Sequence, residues 1–380
     1  MSKKQRILFL YLNTGSGHLT PARILASHLT ERYGDSVECM LLNGFSPKQY
    51  FSRLLFERGY HFTNTFIHGA YSVFYDINTI PCVLRLTTLL TLVRTAPFLA
   101  RYIREHGITK VVCLHFALGP AAKSALRTLG NTIPLILIVT DPFTAHPAWF
   151  LVKRAQYIVF SHMLQEQARL HGIRHAAVFP FILKKEFARF PELPPPAPQN
   201  EVQSGASPFR VLIAGGGEGL PGMVRLVRYI ARQQAAGETP RIELTAVCGN
   251  NRVAYRRLMQ IQKKYGSCSL HVLGYVQTMP ELLRNADCIV SKAGASTVFE
   301  IASCCKPVIF CTYIHGQELG NVRFAVQNGI GWVIRKPADI YRKLCSLAQS
   351  PQLCRAASQA AAQLNVRSDL DGIGRFIVEL

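Results

Sequence analysis

A chain of 380 residues, 49% of them hydrophobic, can bury two α/β cores and is too long for one sandwich-sized domain. Its 43 Lys and Arg against 22 Asp and Glu leave a formal charge of +21, which a plain enzyme of soluble metabolites does not need and which calls for an acidic partner or surface. With no zinc-finger spacing, RNP-like strand or lysine-rich tail, nucleic acid is set aside and an anionic membrane is the expected surface.

The basic start at Met1 to Arg6 leads into the apolar run Ile7 to Leu12, too short for a signal h-region and read as the first strand. No C-x-x-C pair occurs among 11 cysteines, so free thiols in a reducing compartment and a cytoplasmic location are expected. Asn13 to His18 form a glycine loop, and a helix is expected to open at Thr20 with Pro21 in its first turn. A histidine after such glycines either caps or packs the helix or, at the carboxyl edge of a nucleotide-type sheet, serves as a base. A neutral imidazole there can take a proton from an attacking alcohol.

Residues Gly44 to Arg104 interleave Phe and Tyr with Arg and His, the mixture an interfacial surface requires: rings at headgroup level, charges on lipid phosphates. Ile80 to Ala100 is read as an amphipathic or buried helix, because Pro81, Arg85, Arg94 and Pro97 interrupt a run that would need about 20 apolar residues to span a bilayer. Lys110 to Leu114 and Ile133 to Thr140 are further strands. The second runs into Asp141, Phe143, Thr144, His146, Pro147, Trp149 and Phe150. Asp141 is either a loop-start cap or a functional carboxylate that orients His18 or binds the acceptor hydroxyl. Tyr157 to Ser161 is a strand, followed by a helix that Gly172 closes.

The Pro-rich, then Gly/Ser-rich stretch 191–208 divides domain 1–190 from domain 209–380. After the strand Arg210 to Ala214, Gly215, Gly216, Gly217, Glu218 and Gly219 form a loop able to cradle phosphate. Leu244 to Cys248 ends at Gly249 and Asn250, and Val272 to Tyr275 is the next strand. Cys288 to Ser291 reads as a buried parallel strand, with Ser296 or Thr297 capping a helix through Ser303 after the turn at Gly294. Unpaired N–H groups and the helix dipole there suit an anion. Glu300, about one turn in, suits the two hydroxyls of a ribose, and Pro307 to Thr312 delivers Gln317, Glu318 and Asn321 to the same sheet edge.

The string Lys292, Ala293, Gly294, Glu300, Pro307, Gly316, Gln317, Glu318 and Asn321 strongly resembles the donor signature of GT-B glycosyltransferases related to monogalactosyldiacylglycerol synthase and to the N-acetylglucosaminyl transferase of peptidoglycan synthesis. G-S-G-H-L-T-P-A, V-C-G-N-N and H-P-A-W-F fit the same family, the last its lipid-glycosylating branch. Cys305 and Lys306 depart from it, standing where relatives carry glycine and an apolar residue.

The resemblance implies two Rossmann-like domains facing across a cleft, UDP-sugar as donor substrate, no cofactor and no metal. It implies that His18, with Asp141, is catalytic. Donor contacts would come from residues 215–218, Gly249, Asn250, Tyr275, Val276 by its backbone, Ser291, Lys292, Gly294, Ser296, Thr297, Glu300, Gln317, Glu318 and Asn321. The acceptor and the membrane would be met by Gly17, Phe143, His146, Trp149, Arg85 and Arg94. The implied activity is inverting, metal-independent transfer of galactose or glucose to diacylglycerol at the inner face of the cell membrane. The alternatives are N-acetylglucosamine transfer to a polyprenyl-linked intermediate, or a basic membrane-binding protein without chemistry. Asp369-Leu370-Asp371, the one Asp-x-Asp string, is read as a surface turn and not as a metal site.

Overall fold

The computed structural model describes residues 4–46, 49–54, 76–188, 208–266 and 269–380. All but Pro208 of the expected linker, and the aromatic residues from Phe56 to Tyr75, lie outside these. The chain forms two compact units: Met1–Leu183 with Ile314–Gly320 and Ser368–Leu380, and Lys184–Tyr313 with Asn321–Arg367.

In the first unit, β1 (Gln5–Tyr11), β2 (Val37–Asn43), β3 (Lys110–Cys113), β4 (Leu135–Ile138), β5 (Gln156–Val159) and β6 (Ala176–Val178) make a parallel sheet in the order β2-β1-β3-β4-β5-β6. The inner strands are centred on runs of Ile, Leu, Val and Phe, Ile7 to Leu10 in β1 and all of β3 and β4 being buried, because helices cover both faces. The order reverses at β1, so the loops after β1 and β3 open at a switch point, where such sheets receive ligands. Helix α1 (Ser16–Tyr33) starts earlier than its sequence suggests, putting Gly17 and His18 in the first turn and Pro21 inside the helix. Gly15, with φ 84°, makes this early start possible, since it reverses the chain in a conformation most side chains avoid.

Helix α2 (Pro81–Glu105) is continuous. Pro81 opens it, where a missing N–H costs nothing, and Pro97 is accommodated within, so neither proline interrupts it as expected. Leu84, Thr91, Thr95, Leu99 and Ile103 are buried along one stripe; Leu86, Leu89, Leu90 and Val93, each more than half exposed, line another beside exposed Arg85 and Arg94. Among the described residues this is the one helix long and apolar enough to cross a membrane by length and composition. Its C-terminal part is committed to the unit's core and packs against α3 (Gly119–Thr128). Helix α4 (His162–Leu170) follows β5, capped by the Ser161 hydroxyl, which accepts from Leu164 N–H.

The second unit repeats the plan with β7 (Phe209–Ala214), β8 (Ile242–Val247), β9 (Leu270–Leu273), β10 (Cys288–Lys292), β11 (Val308–Thr312) and β12 (Gly331–Val333), all parallel, in the order β12-β11-β10-β7-β8-β9. Its switch point falls between β7 and β10, so the glycine loop and the Gly294 turn are neighbours at one sheet edge. Its helices are α5 (Met223–Ala235), α6 (Arg252–Lys264), α7 (Met279–Asn285), α8 (Ala295–Ser303), α9 (Leu319–Gln327), α10 (Pro337–Gln349) and α11 (Pro351–Gln363). Helix α8 is capped by Gly294 and not by Ser296 or Thr297, which lie inside its first turn with no side-chain cap formed. Just past its end Cys305 sits at φ 53°, so the left-handed turn natural to glycine is kept although a side chain occupies it.

Helix α12 (Leu370–Glu379) belongs to the first unit: it packs on α1, and the buried Lys110 ammonium donates to the carbonyls of Ile377 (3.0 Å) and Val378 at its end. The Asp-x-Asp string is therefore the start of a helix and not a turn. Asp369 accepts from Gly372 N–H (2.7 Å), while Asp371 pairs with Arg32 (3.0 Å) and His28 (3.2 Å). The ten described cysteines are all free thiols.

Candidate active site

The candidate residues lie on two sets of loops, one in each unit. In the first, the helix start at Ser16 brings His18 over the end of β3. The Leu114 carbonyl lies 2.7 Å from His18 Nδ1 and can only accept, so Nδ1 carries the proton and Nε2 the lone pair. Thr140 Oγ1, at 2.9 Å, is a second acceptor for the same N–H. Burial holds the imidazole down at about 4, against the weaker upward pull of the Leu114 carbonyl, so the ring is neutral at physiological pH. A neutral ring with its tautomer fixed by a backbone carbonyl is the state a general base needs.

Around it, the His115 ring lies 4.5 Å away and the Trp149 ring 6.4 Å away, centroid to centroid, both tilted against the imidazole. His115 Nδ1 accepts from Ala117 N–H, and burial followed by the neighbouring His18 pushes its pKa well down. Sequence reasoning passed over His115 and Thr140. The signal for both was their place at the carboxyl ends of β3 and β4, the same edge that nominated His18.

Asp141 does not orient His18: its neighbour Thr140 does. Both Asp141 oxygens are engaged elsewhere, Oδ2 by Trp149 Nε1–H (2.9 Å) and Oδ1 by Gln317 Nε2–H (3.0 Å). Burial raises its carboxyl to about 6, opposed by those two hydrogen bonds and reinforced by the nearby Glu318 carboxylate. Phe143, His146 and Trp149, expected at the acceptor or membrane, are 9%, 1% and 1% exposed and so meet no lipid surface. His146 and Trp149 pack on Phe116, at 5.3 and 6.0 Å, and His146 caps the turn after it by accepting from Ala148 N–H. They form the wall behind the histidines. Gly17 is exposed, with open space where a side chain would be.

In the second unit the glycine loops after β7 and β8 interlock. A Cβ on Gly215 would meet Leu220 Cα at 2.4 Å, and one on Gly249 would meet the Gly217 carbonyl at 2.2 Å. Asn250 N–H donates to that carbonyl (2.7 Å). These glycines are required by loop packing itself; Gly217 alone of the three 215, 217 and 249 faces open space, and Gly216 turns at φ 79°. Glu218 is exposed in the same loop. After β9, Tyr275 is exposed and Val276 half-buried.

At β10, Ser291 is fully buried and its hydroxyl donates to the Ala214 carbonyl (2.7 Å), tying the ends of β7 and β10 together instead of facing a ligand. Lys292 is half-buried, with Nζ 3.6 Å from where a Gly294 side chain would start. The first-turn N–H groups of Ala295, Ser296 and Thr297, with Lys292 beside them, are of the kind that can meet an anion. Glu300, further along α8, is half-buried. Burial raises its carboxyl to about 7, Lys184 pulling only weakly the other way.

The loop Ile314–Gly320 belongs to the first unit although β11 leads into it. Glu318 Oε2 accepts from Ile314 N–H (2.8 Å), so that carboxylate closes its own loop. Asn321, back in the second unit, donates through Nδ2 to the Ala293 carbonyl (2.8 Å) and keeps Oδ1 buried with no hydrogen-bond partner among the described residues.

Residues 210–367 match the family described as Glycosyltransferase family 28 C-terminal domain. The chloroplastic monogalactosyldiacylglycerol synthase of Spinacia oleracea is 27% identical over 351 residues, covering 88% of this chain and 65% of that one. The processive diacylglycerol beta-glucosyltransferase of Bacillus mycoides is 26% identical over 223 residues, 59% of this chain and 56% of its own. This chain thus spans less than two thirds of either relative. Among solved structures, MurG of Acinetobacter baumannii superposes with a TM-score of 0.64 at 16% identity, over 99% of this chain and 100% of that one. The chain thus has the two-sheet GT-B fold, its residues 210–367 match the glycosyltransferase family 28 C-terminal domain, and it is similar in sequence to a monogalactosyldiacylglycerol synthase and a diacylglycerol beta-glucosyltransferase.

Proposed function

We propose that the protein transfers a hexose, galactose or glucose, from a UDP-sugar to diacylglycerol with inversion, working without a metal on the inner face of the cell membrane. The observation that carries this is His18: a buried, neutral imidazole, its Nδ1–H fixed on Leu114 and its Nε2 free to act as base, at the switch point of the first sheet. Nε2 takes the proton from the lipid hydroxyl as its oxygen attacks the anomeric carbon. The bond to UDP breaks and the diphosphate leaves with the electron pair. Its charge is met by the α8 N-terminus and Lys292, and the ribose hydroxyls by Glu300. The names of the two relatives support diacylglycerol as acceptor. The MurG likeness supports the fold and leaves transfer to a polyprenyl-linked acceptor as the second reading.

Helix α2 supports the membrane part. Its exposed Leu86, Leu89, Leu90 and Val93 with Arg85 and Arg94 fit the boundary between headgroups and chains. More positive charge is displayed on α5 (Arg225, Arg228, Arg232) and α6 (Arg252, Arg256, Arg257), neither of which carries an acidic residue. Diacylglycerol presented in anionic vesicles should therefore be glycosylated faster than in neutral ones, with a rate that falls as salt screens the attraction over about 8 to 10 Å. Each arginine near the surface contributes about 1 kcal/mol, so replacing Arg85 and Arg94 together should weaken vesicle binding roughly thirtyfold while leaving UDP affinity alone. Equal flotation with neutral and anionic vesicles contradicts the membrane reading, and label appearing only on a polyprenyl acceptor contradicts the lipid.

A further inference from the structure

An ionised carboxylate can only accept hydrogen bonds, and Asp141 is saturated on both oxygens by side-chain N–H groups. Its partner on one side is immobile: Trp149 is 1% exposed, and the Tyr157 hydroxyl donates to its carbonyl at 2.8 Å. On the other side, the Gln317 amide is left one orientation, with Nε2 toward Asp141 and Oε1 away. That oxygen is buried and has no hydrogen-bond partner among the described residues. A buried acceptor left open in this way is an unfilled hydrogen-bond site.

We infer that Asp141 is a positioning residue: it locks the Gln317 amide so that its carbonyl oxygen, and not its NH2, is offered to a hydroxyl of the transferred sugar. This rests on the proposed UDP-sugar donor and on Gln317 being one of its contacts, as the family resemblance implies. The loop that carries Gln317 is seated firmly enough for the lock to hold. A Cβ at Gly320 would come within 2.8 Å of Phe143 Cβ, Thr144 Oγ1–H reaches the Gly316 carbonyl at 3.4 Å, and Glu318 closes on Ile314 N–H. Asn321 follows the same rule independently: the Ala293 carbonyl takes its NH2 and leaves Oδ1 open. The sugar hydroxyls are thus read as donors, and a hexose whose hydroxyl at that place is missing or replaced by fluorine loses the contact.

Exchanging the two groups tests the lock. In Asp141→Asn, the new NH2 can donate to Gln317 Oε1, which turns the amide over; in Gln317→Glu, two carboxylates face each other. In the double variant the asparagine NH2 donates to one glutamate oxygen, its carbonyl accepts from Trp149, and the second glutamate oxygen again points outward as an acceptor. Calorimetry with UDP and with UDP-glucose and UDP-galactose gives the affinity ratio of sugar nucleotide to nucleotide. That ratio should fall about tenfold in each single variant and return to within about threefold of wild type in the double, a non-additive cycle. Affinity for UDP itself should change little, and the melting temperature lost to the facing carboxylates of Gln317→Glu should return in the double variant. Single-variant losses that simply add in the double, or an Asp141→Asn variant with an unaltered ratio, overturn the lock. A wild type that binds neither UDP nor a UDP-hexose overturns the donor reading on which it rests.

Discussion

Replacing His18 by asparagine should lower turnover on diacylglycerol by about a hundredfold or more, the usual scale for loss of a general base, while UDP affinity stays within about twofold. Asparagine is the informative choice. Its NH2 can still donate to the Leu114 carbonyl where Nδ1 did, so the loops after β1 and β3 remain tied, but nothing replaces the Nε2 lone pair. The split between turnover and nucleotide binding follows from placement: His18 belongs to the first unit, and the loops proposed for the nucleotide belong to the second. Because burial holds His18 at about 4, the base is already neutral at pH 6, and the acid limb of the rate profile near pH 7 should belong to another group. The linked effect on stability has a definite sign. A folded-state pKa below the unfolded value means that neutral His18 is stabilising above the unfolded pKa, and that stability is lost as pH falls through about 6.5 toward 4. Near-normal turnover in His18→Asn would place the base elsewhere, with the neighbouring His115 the next group to examine.

The second large effect is expected at Glu300. Its carboxyl is half-buried and raised to about 7, so at neutral pH the free protein holds a mixture of protonated and ionised forms. If the ionised form accepts the two ribose hydroxyls, UDP affinity is full above about 7 and falls as the pH drops. Binding near pH 7 then releases protons, visible as a buffer-dependent calorimetric enthalpy. Glu300→Gln should abolish the proton release and weaken UDP binding roughly tenfold, the loss of a charge-assisted hydrogen bond of about 1.5 to 3 kcal/mol. The same variant should melt at a higher temperature at pH 8 when no ligand is present. The raised folded-state pKa means that stability falls as pH rises from the unfolded value through about 7, and glutamine removes that penalty. Unchanged affinity and unchanged proton release would take Glu300 out of the donor site.

Much of this was legible in the sequence because buried parallel strands write themselves as short apolar runs. Each of the strands around Ile7, Val111, Ile136, Ile213, Leu244, Val290 and Ile309 could be located that way, and with them the loops that carry His18, Gly215, Gly294 and Gln317. Hydrogen bonding within the loops left no such trace. Ser291 and Asp141 look like ligand-facing residues in one dimension, yet one is turned into the sheet onto Ala214 and the other is consumed by Trp149 and Gln317. Trp149 and His146 sit in a string suited to a lipid contact, but packing on Phe116 takes them inside. Helix caps misled in the same way: α1 starts after Gly15, whose φ of 84° suits glycine, and α8 after Gly294, and neither start carries a side-chain cap. Membership of the loop Ile314–Gly320 in the first unit was likewise invisible, since it depends on the fit of Gly320 against Phe143 and Thr144, residues far away in sequence.

The central claim is a single displacement in which His18 deprotonates a diacylglycerol hydroxyl and UDP leaves without a metal. It is tested most directly by the anomeric configuration of the lipid product, read from the proton coupling of its sugar, when UDP-glucose or UDP-galactose and diacylglycerol are supplied with a strong chelator present. The account predicts a β-linked glycosyl diacylglycerol from the α-linked donor, formed at a rate the chelator does not alter. An α-linked product, a reaction abolished by chelation, or no sugar on diacylglycerol from either donor would contradict it.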